Sequence, residues 1–344
     1  MRSIAHMVFT HALSPAEVQK ALSAARLSSY KTLIGTTNLD QSIGAYIWGL
    51  ELNAALSSLL SMIEVLLRNS LHSAATREFG KPDWYSDVLK YQGDKIWAHK
   101  VSADPLLAQH YYRRNVAPHN KKKIYVGSTQ RTLKHWRSPS EARIEEIFGR
   151  LHQDGKPNSP DQVVAHAMFG FWLTLFEATF ESATDRFALW PKCLRAVFPH
   201  HATITRAQVH ASLVNIKRLR NRVSHHEPAW RIAVPLTPAG VHSSLAPLVS
   251  EMEKMIDAIS PDITQLLHNA GAIHKLRWLL DPQIIAAFAG QQTPGQLDLR
   301  KVTRTVRKIA STAKRAAGST SPKPSKAVHV QHGGLTLMTV LPHA

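Results

Sequence analysis

The sequence predicts an all-α fold, and three observations predict it. Apolar residues recur at helical spacing nearly everywhere, no run alternates convincingly like a strand, and glycine or proline separates most of the periodic stretches. Four helix starts also share one grammar, a serine N-cap followed by proline at the first helical position: Ser14-Pro15, Ser138-Pro139, Ser159-Pro160 and Ser260-Pro261. The hydroxyl can accept an orphan backbone N–H, and proline costs nothing where no N–H bond exists. Glu17, Glu141 and Gln162 fall three residues after their serines and complete capping boxes.

Taken in order, the longest helical segment runs from about Asp40 to Phe79 and stops at Gly80-Lys81-Pro82, a C-cap glycine followed by a proline. Ile47, Leu50, Leu56, Leu59, Leu60, Ile63, Leu66, Leu67 and Leu71 form its apolar stripe. Gly44 and Gly49 weaken its start, so the segment reads as one helix or two. Further helices are expected near 86–101, 103–116, 139–152, 160–182, 186–197, 205–225, 240–259 and 262–280. The strongest apolar stretch, Val163 to Phe180, is interrupted by His166 and Glu177 and is expected to be a buried helix, not a membrane span. Trp84, Phe169 and Trp172 lie within apolar helical runs and read as core. These elements make a helical domain over residues 1–290, followed by a basic low-complexity tail at 291–344. The tail is expected to be disordered, apart from an amphipathic helix at 297–316.

Composition narrows the function classes. At 344 residues and 44% hydrophobic content the chain can bury a real core. One cysteine, Cys193, excludes an internal disulfide framework and any multi-thiolate metal site. Met1 to Thr10 lacks the apolar run of a secretory signal, which predicts a cytoplasmic address. The net charge is +18, and 16 of those excess charges sit in two segments. Arg113 to Arg137 holds eight basic residues and no acidic one, and Asp298 to Lys326 carries a net of +8. Such concentration suits a polyanionic partner, of which nucleic acid is the commonest, or else a solvated loop and tail. Lys121, Lys122, Lys123, Arg131, Lys134 and Arg137 are the candidate nucleic-acid contacts. Phosphate-loop, dinucleotide-binding and nucleophile-elbow motifs are missing, and His226-Glu227 fails as a zincin start because Trp230 stands where the second histidine belongs.

The informative segment is Leu219 to Pro228, Leu-Arg-Asn-Arg-Val-Ser-His-His-Glu-Pro, which ends a helix begun near Thr205. Asn221 and His225 are four apart and share a face. Arg220 and His225 are five apart, roughly 140° around an ideal helix. They converge only through the long arginine side chain, a distorted helix end or a second subunit. A cation beside a neutral-pKa base suits RNA cleavage without a metal or cofactor: histidine takes the ribose 2′-OH proton while a guanidinium holds the phosphoryl oxygens. The bland reading of the same residues is a histidine pair capping the helix, with Arg218, Arg220 and Arg222 as dipole partners.

The Arg-Asn-x-x-x-His spacing of Arg220 to His225, followed by His226-Glu227-Pro228, resembles the end-of-helix motif of the HEPN superfamily. More narrowly, the chain resembles the Abi-like (abortive infection, AbiD/AbiF type) proteins of bacteria. An ordered series carries that resemblance over about residues 20–280: Arg26-Leu27-Ser28-Ser29-Tyr30, Tyr46-Ile47-Trp48, Ile63 through His72, Gly80, Trp84-Tyr85, Phe169-Gly170-Phe171-Trp172, Leu175-Phe176 and Leu189-Trp190-Pro191. It implies a HEPN-like helical bundle, with additional helices here, whose active members are metal-independent RNases that often work as dimers. By position Arg220 and His225 match the catalytic pair, Asn221 the polar residue that follows, and His226 and Glu227 the His-Glu-Pro extension. The implied activity is an endoribonuclease of abortive-infection or toxin kind, with RNA as substrate, a homodimer as working form, and an antitoxin or noncoding RNA as a further partner. The alternative is a non-cleaving RNA-binding module of a phage-defence system. Glu64, Arg68 and His72 are successive i+4 neighbours, either an intrahelical ladder or a polar wall facing the Arg220–His225 helix, with Glu64 orienting Arg68 or Arg220.

Overall fold

The computed structural model describes residues 14–113, 123–126, 129–291, 328–332 and 335–340. Helices α1 (Pro15–Leu22) and α2 (Ala24–Ile34) lead into α3 (Leu39–Phe79) and α4 (Trp84–Ala103). Four short strands follow: β1 (Tyr111–Tyr112), β2 (Lys123–Val126), β3 (Thr129–Thr132) and β4 (Lys134–His135). Next come α5 (Pro139–Gln153), α6 (Pro160–His166), α7 (Phe169–Thr174), α8 (Leu194–Val197) and α9 (Arg206–Ser224). The series continues with α10 (Pro238–Ile259), α11 (Pro261–Asn269), α12 (Ala272–Leu279) and α13 (Pro282–Phe288). Strands β5 (Val328–His332) and β6 (Leu335–Val340) form an antiparallel hairpin, as do β2 and β3, while β1 pairs with β4 in parallel. The fold is all-α, and these two-stranded pieces are its departures from the expected absence of strands. The helix expected at 297–316 lies outside the described residues.

The chain divides into two compact units, one from residues 1–56, 228–249 and 267–344, the other from 57–227 and 250–266. In the first, Leu27, Tyr30 and Leu33 of α2, Trp48 and Leu52 of α3, and Leu276 and Leu279 of α12 are buried. The Trp48 indole donates to the Leu279 carbonyl at 2.7 Å. Both suspect glycines of α3 are explained here. A Cβ on Gly49 would fall 2.4 Å from the Tyr30 hydroxyl, and one on Gly44 would meet the Phe288 carbonyl oxygen. Close packing therefore overrides their poor helix propensity, and Leu39–Phe79 runs as one helix. Among the described residues α3 is the one helix long and apolar enough to cross a membrane. Its buried positions, which include 45, 48, 52, 56, 59, 63, 67, 71 and 74, keep the three-to-four-residue spacing of a face packed in a protein core.

The second unit is built on the rest of α3 with α4 through α9. Trp84, Phe169 and Trp172 are buried as expected, and Phe176 stacks on Trp190 with ring centroids 4.4 Å apart. Four expected helices are corrected, one of them being 262–280, which the left-handed Gly271 at φ 73° divides into α11 and α12. The expected 103–116 helix does not form over 104–113, and 114–116 lie outside the described residues: Asp104, which precedes Pro105, leaves the helical region and caps a short 3-10 turn, Pro105–Gln109, by accepting from the Leu106 N–H. The expected 160–182 helix breaks into α6, α7 and a 3-10 turn, because the Ala167 carbonyl is taken by the Trp172 indole at 3.3 Å and Met168 is extended. Of 186–197 only α8 is helical, since the Leu189 and Trp190 N–H groups both donate to the Phe180 carbonyl. All four Ser-Pro starts open helices, but the full capping box forms only at Ser138, where Glu141 answers; the Ser14 and Ser159 side chains cap nothing.

Candidate functional site at the end of helix α9

Helix α9 is fixed at its start by a capping box between Thr205 and Gln208 and by Arg206, which donates to the Phe176 carbonyl and pairs with Glu181, both at 2.8 Å. Val209, Leu213, Ile216 and Leu219 are buried along one stripe and hold it against the unit. The other faces are therefore presented with little freedom to rotate. Arg220 lies at the margin of the buried stripe and is half-buried. Its Nε stands 3.8 Å from Glu64 Oε2 of α3. Among the described residues its terminal amino groups have no other carboxylate or carbonyl partner.

The helix stops by a Schellman arrangement. The Glu227 N–H donates to the Arg222 carbonyl at 2.8 Å, and the His226 N–H to the Val223 carbonyl at 3.1 Å. His226 takes the left-handed conformation at φ 55°, the place glycine commonly fills. Holding a residue with a Cβ there costs on the order of 1 kcal/mol or more. The Arg222–Glu227 ion pair at 3.0 Å ties the same turn. Helical geometry thus ends at Ser224, and His225 and His226 are both exposed on the turn. The distortion begins after His225, whose N–H still makes the helical bond to Asn221, and among the described residues no hydrogen bond joins the Arg220 and His225 side chains. Asn221 and His225 are joined by a backbone bond, His225 N–H to the Asn221 carbonyl at 3.0 Å, with the half-buried Asn221 amide left available.

The row on α3 is a wall of separate contacts, not an intrahelical ladder. Glu64 faces Arg220; Arg68 donates to the Ala165 carbonyl at 3.3 Å; His72 accepts the Trp84 indole N–H at Nδ1, 3.1 Å away. The His72 pKa is lowered, chiefly by burial and against the attraction of Asp161. That keeps the ring neutral, as the indole bond requires. Burial pushes the Cys193 thiol up to about 12, so it supplies no thiolate near neutral pH. No group of three or more His, Cys, Asp or Glu gathers in metal-binding arrangement among the described residues.

The basic segment is less free than its composition suggests. The Arg113 side chain is buried, clamped by Glu141 at 2.7 and 2.9 Å and by Asp94 at 2.8 Å. Arg137 pairs with Glu145 at 2.6 Å. Lys134 is exposed, Lys123 and Arg131 lie on β2 and β3, and Lys121 and Lys122 lie outside the described residues. Sequence reasoning did not single out Arg143 and Lys217, which the fold brings together over Gly170 although 74 positions separate them. Only the tertiary arrangement of α5, α7 and α9 makes them neighbours.

No curated protein and no solved structure matches the chain. One family model does, that of the Abi-like proteins, over residues 18–231. That span is more than half the chain, and it takes in the α3 wall, the Phe-Gly-Phe-Trp block and the whole of α9 with its His-His-Glu-Pro end. The chain therefore belongs to the Abi-like protein family, which ties it to abortive infection as a defence against phage.

Proposed function

We propose that the protein is a metal-independent endoribonuclease of abortive-infection type, acting at the end of α9. The observation that supports this reading is that one helix end carries both a restrained, incompletely engaged guanidinium, Arg220, and an exposed imidazole, His225, five residues on. In the proposed step His225 removes the 2′-OH proton and the 2′-oxygen attacks the adjacent phosphorus. Arg220 donates to the non-bridging oxygens as negative charge builds there, and Asn221 orients the linkage. The P–O5′ bond breaks, and the leaving 5′-oxygen takes a proton from His226 or from a histidine of a second copy. The products are a 2′,3′-cyclic phosphate and a 5′-OH end. A homodimer is the proposed working form, the cytoplasm the proposed site of action, and an antitoxin or noncoding RNA the proposed restraint.

The test uses purified full-length protein and end-labelled RNA in the presence of EDTA. His225→Ala is expected to reduce cleavage about 10²- to 10⁴-fold, the span that general acid–base catalysis contributes. A single deoxyribose at the scissile position should block the cut. Cleavage that survives the deoxy substitution, or that disappears with EDTA, overturns the mechanism. Intact RNA copurifying equally with wild type and His225→Ala favours the second reading, a non-cleaving RNA-binding module, which the excess of cations supports.

A further inference from the structure

We infer that Arg143 and Lys217 form a second phosphate-binding subsite beside the α9 site, holding a phosphodiester that flanks the one to be cut. The inference rests on the ribonuclease reading for its substrate and on separate residues for its geometry. Helix α7 packs between α5 and α9, and Gly170 lies near its start. A methyl carbon placed on Gly170 would sit 3.9 Å from Arg143 Cζ and 4.0 Å from Lys217 Nζ. The two cations are therefore no more than about 8 Å apart, within one Debye length at physiological salt, where like charges still repel.

The neighbouring cations differ from this pair in one respect. Arg113, Arg206 and Lys95 each have a carboxylate at hydrogen-bonding distance. Arg143 donates to the Gly170 carbonyl; among the described residues Lys217 has no hydrogen bond and no carboxylate lies within ion-pair distance of either. Both side chains are half-buried, so solvent neutralises them only in part. Two adjacent, half-desolvated, uncompensated cations on rigid helices are the arrangement that an anion completes. A guanidinium matches two phosphoryl oxygens through its fork, while an ammonium adds a point charge.

Position selects a phosphodiester of the same strand. Lys217 precedes Arg220 by three residues and Asn221 by four, so it lies about one turn up the same side of α9, roughly 5 Å along the axis. His225 is two turns away, roughly 12 Å. Those spacings are on the scale of neighbouring phosphates along one extended strand. A single strand laid along α9 would place one phosphate under Arg220 and His225 and another between Lys217 and Arg143.

The experiment measures binding apart from cutting. Full-length protein is titrated by fluorescence anisotropy with 2′-O-methyl oligonucleotides of two and of eight nucleotides, which cannot be cleaved through the 2′-oxygen. For the octamer, Arg143→Gln with Lys217→Gln is expected to raise Kd about tenfold and to flatten the log–log salt slope by about 1.4, two single-strand contacts at about 0.7 each. The dinucleotide, with one phosphate, should show a much smaller change. Lys217→Gln alone touches no hydrogen bond and is expected to give about half the salt effect, so the subsite remains testable if the double variant does not fold. In cleavage assays the loss should fall on KM, not on kcat. Unchanged Kd and salt slope in Lys217→Gln overturn the subsite even if wild type cleaves. If wild type does not cleave but the variant loses octamer affinity, the ribonuclease reading fails and the subsite stands. Equal loss for both lengths, with wild-type binding of the dinucleotide displaced by millimolar inorganic phosphate, identifies a free-phosphate site and overturns the strand-tracking assignment.

Discussion

Two arginine–glutamate pairs in the second unit are built from the same residue types and do opposite things. Arg113 and Glu141 are 5% and 9% exposed, meet through two short bonds, and are completed by Asp94, by the Ser138 N–H and hydroxyl, and by the Trp136 ring 5.3 Å from the guanidinium. Arg220 and Glu64 are 33% and 20% exposed and meet at a single contact of 3.8 Å. The closed pair has every donor engaged and no room for a substrate, so its role is to fix α4, α5 and the approach to the basic hairpin. The open pair restrains a guanidinium while leaving most of its donors for another anion. Burial and completeness of hydrogen bonding, not residue identity, separate a structural arginine from one available to a ligand.

The contrast breaks most easily at the closed pair. Glu141→Ala leaves Arg113 buried without its main partner and removes the α5 capping box, so a loss of about 3–5 kcal/mol in urea unfolding is expected. Burial tends to raise the Glu141 pKa, but the bonds from Arg113 and Ser138 outweigh it, and the net shift is downward from 4.5. A depressed carboxyl pKa adds stability that is complete above the unfolded value and disappears as pH falls through the folded one. Wild type should therefore lose stability below about pH 4.5, and Glu141→Ala should lose that component of its acid dependence. A loss under 1 kcal/mol in the variant would show that the pair is not the clamp described.

Next in size comes His226→Gly. Glycine relieves the left-handed strain but adds disorder to the unfolded chain, so a gain of up to about 1 kcal/mol in stability is expected. Removing the imidazole should at the same time slow cleavage. Thermal unfolding and single-turnover cleavage of one preparation give both numbers, and a variant that is both less stable and fully active removes His226 from the proposed chemistry.

The smallest change in stability is expected at the open pair. Glu64→Gln should shift unfolding by no more than about 0.5 kcal/mol, because the pair meets at a single long contact that stays partly open to water. Cleavage should still fall several-fold in kcat, because Arg220 loses its restraint. If Glu64→Gln instead destabilises the protein as strongly as Glu141→Ala does, the two pairs are alike and the distinction between them collapses.

Much of the fold was legible in local pattern. Periodicity and the stop at Gly80-Lys81-Pro82 placed α3 within a residue of its observed ends, and the Ser-Pro starts opened α1, α5, α6 and α11. Three of the four broken helices share one cause, while the fourth, 262–280, is divided at the left-handed Gly271. At 103–116, 160–182 and 186–197, helical propensity was overruled by particular bonds: Asp104 to Leu106, the Trp172 indole to Ala167, and the Phe180 carbonyl to Leu189 and Trp190. Gly44 and Gly49 erred the other way, since the residues pressed against them, Phe288 and Tyr30, are distant or invisible to a helix scale.

The same division holds for the candidate site. The sequence by itself determined the helical class, the family and the order Arg220, Asn221, His225, His226 and Glu227, because those depend on neighbours along one chain segment. Tertiary structure alone decided that Glu64 faces Arg220 and not Arg68, that Arg113 is consumed by Glu141, and that Arg143 and Lys217 meet over Gly170. A charge acquires its role from what lies within a few ångströms of it and from how much water remains there, and neither quantity is set until distant segments pack.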